Sequence, residues 1–163
     1  MSVGAGTWSF TEDDFMAITQ SLQRFLADTN ARSALLVDRA GQLVATVGEQ
    51  PQFDPTAFAS LTAADFSAND QLARLVGEND FSTLFHQGEK ESLYLADVAR
   101  RLILVVLFDN RTTLGLVRLR MKQAVQELTT LFDDVFTRGR DGRPAMPNVL
   151  QGADAEIDEL FNW

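Results

Sequence analysis

The chain has 163 residues, of which 45% are hydrophobic and 23% charged, and its formal net charge is -9. That length suits one domain with tails, and the composition is that of an ordinary globular protein. The acidic balance argues against nucleic acid or an anionic membrane as partner, since both ask for a basic face.

With no cysteine, there is neither a disulfide nor a thiolate metal site. No apolar run approaches the ~18 residues of a membrane span. The first residues lack the charged-then-apolar order of a signal peptide, so the expectation is a cytoplasmic protein.

Residues 1–8 are Gly-rich and are expected to form a flexible N-terminus. Gly4 and Gly6 follow no strand, which removes a phosphate-loop reading. Ser9 with Glu12 has the spacing of a capping box, and Phe15, Ile18, Leu22, Phe25 and Leu26 form one helical stripe behind it. Ser33 to Val37 and Gln42 to Val47 are strand-like runs, joined by Asp38-Arg39-Ala40-Gly41, a tight hairpin turn.

Asp54-Pro55 starts the next helix, with Asp as cap and Pro in the first turn, and Gly77 ends it. At about 100° per residue, its core stripe is expected to be Phe58, Leu61, Ala68, Leu72, Leu75 and Val76. The opposite side holds Ser60, Ala63, Ala64, Ser67 and Gln71, all uncharged. A solvated face is normally rich in Lys and Glu. This one either lets another backbone approach or simply reflects an Ala-rich helix.

Phe81 to His86 is a short strand, Gln87 to Lys90 a turn, and Ser92 to Val98 a second strand. Leu102 to Phe108 follows as seven consecutive apolar residues, the pattern of a central strand covered on both faces. Thr112 or Thr113 caps a long last helix whose stripe includes Leu114, Val117, Met121, Leu128, Phe132 and Phe136. The order predicts an α+β sandwich: five mostly antiparallel strands, the middle helix on one face, the terminal helices on the other.

Residues 138–152 carry Gly, Pro and Arg without apolar period and read as a flexible linker. In residues 153–163, Ile157, Leu160 and Phe161 fall at i, i+3 and i+4 among acids, an amphipathic segment too short to be stable alone. It either docks on a partner or folds back on its own domain.

No catalytic constellation emerges. His86 is the only histidine, beside Phe85 in a strand, and reads as a hydrogen-bonded structural residue. The Asp13-Asp14 and Asp133-Asp134 neighbours diverge around their helices and cannot act as an acid/base pair. Arg111, in the turn after the central strand, either reaches outward or is a surface loop arginine. No cofactor is expected.

The element order, the Asp38-to-Gly41 hairpin and the run from Leu102 into Thr112-Thr113-Leu114-Gly115-Leu116-Val117-Arg118 resemble the Roadblock family. Within it, the chain resembles the bacterial MglB group. Leu75-Val76-Gly77-Glu78-Asn79, Phe85-His86-Gln87-Gly88, Ser92-Leu93-Tyr94, Phe108 to Arg118 and the acidic Ile157-to-Phe161 end carry that likeness.

The resemblance implies a Roadblock domain over residues 9–137. It also implies a homodimer that docks on a small Ras-like GTPase of the MglA kind and stimulates its hydrolysis by repositioning its switch residues, in bacterial cell polarity or motility. Dimers of this family join through the middle helix and the edge strand after it. Ala64, Ser67, Ala68 and Gln71 then face the GTPase or the dimer mate, with Arg111 as a weaker contact. Ile157, Leu160 and Phe161 reach another surface of the GTPase and bear on nucleotide exchange. The alternatives are a Roadblock scaffold that only recruits a GTPase, and a ligand-sensing domain of profilin-like or PAS-like shape.

Overall fold

The computed structural model describes residues 4, 5 and 8–141, with side chains over 10–138. In chain order the elements are β1 (Gly4–Ala5), β2 (Trp8–Ser9), α1 (Glu12–Thr29), β3 (Ser33–Asp38), β4 (Leu43–Gly48), α2 (Pro55–Leu75), β5 (Thr83–Gln87), β6 (Ser92–Val98), β7 (Leu102–Phe108) and α3 (Leu114–Asp141). The main sheet has the order β4-β3-β7-β6-β5, and every neighbouring pair in it is antiparallel.

β7 lies in the middle because it is apolar on both sides. Leu102, Leu104, Val106 and Phe108 join Ile18, Leu22, Val117, Met121, Leu128 and Phe132 of α1 and α3 in the larger core. Ile103 and Val105 join Leu35, Val37, Ala59 and Phe66 in a smaller core beneath α2. The sandwich is therefore the expected one, with α2 alone on one face.

α1 and α3 run antiparallel. Asp14 pairs with Arg138 at one end, Ser21 Oγ donates to Glu127 at 2.9 Å in the middle, and Asn30 Nδ2 donates to the Arg111 carbonyl at 3.2 Å at the other. The β3–β4 hairpin forms as expected. Asp38 Oδ1 accepts from the amides of Ala40 and Gln42, and Gly41 takes φ +90°, where a side chain would be strained.

Several expectations change. The cap of α1 is Thr11, whose hydroxyl accepts from the Asp14 amide while Asp14 returns the bond to the Thr11 amide. The Ser9–Glu12 pair has the same spacing, but Ser9 is taken into β2, so the box forms two residues later. Phe15 is 41% exposed, because it lies on the flank of α1 away from the sheet. β5 begins at Thr83. α3 continues to Asp141, through the first residues expected as linker, and residues 4–5 pair with 8–9 inside the expected flexible N-terminus. The largest change concerns the faces of α2.

Candidate partner-binding site

Asp54 caps α2 by accepting from the Thr56 amide at 3.0 Å, and Pro55 occupies its first turn. At the other end Gly77, at φ +87°, lets the Glu78 amide reach the Ala73 carbonyl at 2.8 Å and its own amide reach that of Arg74 at 3.2 Å. Those two bonds form a Schellman end. The helix limits are therefore local, as the sequence implied.

Its orientation is not. The buried residues are Ala59, Thr62, Phe66, Asn69 and Ala73. Leu61, Leu72, Leu75 and Val76, expected in the core, are 70%, 56%, 82% and 69% exposed, and Ala68 is exposed as well. Of the expected core stripe, only Phe58 packs against the sheet.

Polar clamps explain the choice. Arg39 lies over the Phe66 ring, 4.8 Å from its centroid, bonds Asp70 at 3.0 Å and pairs with Asp97 of β6. Asn69 Nδ2 donates to the Phe81 carbonyl at 3.1 Å. His86 Nε2 on β5 meets Asp65 Oδ2 at 2.6 Å. Small residues beneath the helix allow close approach: a Cβ on Gly41 would stand 3.1 Å from the Ser60 Cα.

The outward side of α2 is thus an apolar stripe, Leu61, Ala64, Ala68, Leu72 and Leu75, beside a small polar flank of Ser60, Ser67 and Gln71. Ala64, Ser67 and Gln71 are exposed, and Ala68, read into the core stripe from its spacing, shares this surface with them. The large leucines are what sequence reasoning missed. A signal existed: Ala59, Phe66 and Ala73 form one heptad-spaced series, and Leu61, Ala68 and Leu75 form another, two residues away. Two apolar arcs lie on one helix, and only one of them can meet the sheet.

Beside the N-terminal end of α2 lies a cleft of about 560 Å³, with Phe53, Phe58, Leu93 and Leu107 among its walls. Arg32 on its rim bonds Glu49 at 2.7 Å and pairs with Glu91. Arg111 is drawn into the same network, with Nε 3.0 Å from Asp109 Oδ1 and Nη2 3.1 Å from Glu49 Oε1. Hydrogen bonds from Arg32 and then Arg111 hold the Glu49 carboxyl below the usual range. Arg111 does the same to Asp109, whose bond in turn raises the Arg111 guanidinium.

Among the described residues, no group of three His, Asp or Glu side chains could hold a metal. No helix among them is long and apolar enough to cross a membrane. Ile157, Leu160 and Phe161 lie outside the described residues.

The Roadblock/LC7 domain model matches residues 18–108. A solved structure of Myxococcus xanthus MglB is 48% identical, covers 74% of this chain and 98% of its own, and superposes with a TM-score of 0.71. The gliding protein MglB of Thermus thermophilus is 30% identical, with coverage of 81% and 99% and a TM-score of 0.74. A structure described as MglB with tetrameric arrangement is 31% identical, covers 82% and 99%, and has a TM-score of 0.73. On this sequence match and the shared five-stranded architecture, the chain belongs to the Roadblock/LC7 family, as an MglB-like member.

Proposed function

We propose that this chain works as a homodimer that docks on a small Ras-like GTPase of the MglA kind and stimulates its GTP hydrolysis, in bacterial cell polarity or motility. The observation that carries the reading is the outward side of α2, with four large aliphatic residues more than half exposed at one end or the other of a helix clamped by Arg39 and Asn69. Burying such a side chain contributes about 1.5–3 kcal/mol, and a partner supplies that burial.

The surface divides in two. Asp65, bonded to His86, marks the side of α2 nearest the open edge β5. Leu61, Ala68 and Leu72 lie next to Asp65 around the helix and face a second copy whose β5 continues the sheet, which also covers an unpaired edge. Ala64, Ser67 and Gln71 lie further round and form the platform for the GTPase. In the cytoplasm, where such GTPases work, this platform acts without any catalytic side chain of its own.

An arginine supplied in trans can raise phosphoryl-transfer rates by about 10³–10⁵, but Arg111 is held by Asp109 and Glu49. Stimulation then comes from repositioning the GTPase's own switch residues. Ile157, Leu160 and Phe161 contribute separately, at another surface of the GTPase, to nucleotide exchange.

Phosphate release from an MglA-like GTPase, with and without this protein, tests the reading. Ser67→Arg with Gln71→Arg is expected to abolish stimulation, and Arg111→Ala to leave most of it. Full stimulation by the double variant refutes the platform. Binding without any rise in turnover leaves a recruiting scaffold. The cleft beside α2 favours ligand sensing as the second reading, which a thermal shift with small apolar ligands, lost in Phe58→Asp, would support.

A further inference from the structure

We propose that the N-terminal half of α3 is a docking surface for the chain's own acidic C-terminal segment, residues 154–163. Arg118 and Lys122 stand one turn apart on the outer side of α3, both exposed, with Leu119 between them at 63% exposure. Gly115, one turn earlier, has open space where a side chain would be, so a second backbone approaches there unobstructed.

The charge is uncompensated. Arg118 and Lys122 form no ion pair among the described residues, as is also true of Arg74, Lys90, Arg100 and Arg101, but these two alone stand one turn apart on a single helix face, while Arg120 between them turns toward α1 and Asp28. Two cations one turn apart with no carboxylate beside them leave this face basic on a chain of net charge -9. The helix N-terminus adds partial positive charge in the same region. Further along α3, Asp133 and Asp134 reverse the sign, so an acidic segment is directed to the first half of the helix.

The segment's own chemistry matches. Asp154, Glu156, Asp158 and Glu159 surround Ile157, Leu160 and Phe161, and the apolar trio suits Leu119. Reach is sufficient. From Asp141 back to Leu119 the helix spans about 33 Å, and residues 142–153 extend to about 40 Å. A tether of that length gives an effective concentration in the millimolar range, so even a millimolar intrinsic affinity leaves the segment docked about half of the time. The inference does not depend on what the segment binds in a complex, since it concerns the isolated chain.

The test uses the full chain with Trp8→Phe, which leaves Trp163 as the only indole. Trp163 is expected to be shielded from acrylamide, and R118E/L119S/K122E to raise its quenching constant roughly twofold, as loss of a half-populated contact implies. About 1 M salt, where the Debye length is about 3 Å, should do the same. Carbodiimide should join Lys122 to Asp158 or Glu159, with far-UV circular dichroism of the triple variant unchanged. Equal quenching in parent and variant, or cross-links that map elsewhere, overturns the proposal. Vesicles of anionic lipid that bind through Arg118 and Lys122 while Trp163 stays unaffected would reassign the face to a membrane surface.

Discussion

The two helical layers treat their apolar residues in opposite ways. In the α1/α3 layer the large side chains point in: Ile18, Leu22, Leu128 and Phe132 are fully buried, and Phe10 packs edge-on to Phe132 with centroids 5.2 Å apart. In the α2 layer, Ala59, Ala73, Thr62 and Asn69 point in beside the buried ring of Phe66 and the half-buried ring of Phe58, while Leu61, Leu72 and Leu75 point out. A helix with small and polar residues beneath and leucines above is unfavourable for a lone chain. It becomes sensible when its outer side is a second interior, shared with another molecule. The first layer buries Leu22 and Leu128 within the fold, and the second leaves its leucines on its outer side.

The sharpest way to break this contrast is to truncate a side chain in each layer. Phe132→Ala should cost about 3–5 kcal/mol in urea unfolding, by loss of burial and by the cavity left. An effect below about 1 kcal/mol would mean that the α1/α3 layer does not carry the core.

Leu61→Asp with Leu72→Asp should leave the circular dichroism of the folded chain intact. Two leucines lost from a contact should weaken self-association roughly a hundredfold or more, read as a halved mass in sedimentation. An unchanged mass would leave the outer side of α2 without a mate.

A smaller effect belongs to the rim that joins the layers. Glu49 and Asp109 titrate lower in the fold than in the unfolded chain, with the Arg32 and Arg111 bonds as the leading causes. The sign follows from linkage: depressed carboxyls contribute stability fully above their unfolded values and lose it as pH falls through the folded ones, below about pH 4. Both groups are near solvent, so the contribution is modest. Glu49→Gln should make the melting temperature less sensitive to acid. An acid limb identical to the parent's would remove the network from the account.

The elements were legible because their signals are local. Asp54-Pro55 before α2, Gly77 after it, Thr113 at the start of α3 and the Asp38-to-Gly41 turn all act through bonds to their own neighbours. Where two local signals competed, as with Ser9–Glu12 and Thr11–Asp14, pairing in β2 and the link from Asp14 to Arg138 decided between them. Ala64, Ser67 and Gln71 were legible as a side apart from the core stripe, whereas Ala68 was read into that stripe and is exposed. Arg111 was legible only as a position in a turn, since its partner Glu49 is 62 residues away.

Periodicity, caps and the uninterrupted apolar run from Leu102 to Phe108 determine that this chain makes a central strand, flanking hairpins and three helices. They do not determine which side of α2 meets the sheet. Two apolar arcs compete for one face, and hydrophobicity alone favours the arc with the leucines. Arg39 against Phe66, Asp70 and Asp97, and Asn69 against Phe81, settle the matter across distances in sequence that no window spans. The tertiary structure thereby turned the residues that looked most like core into exposed surface.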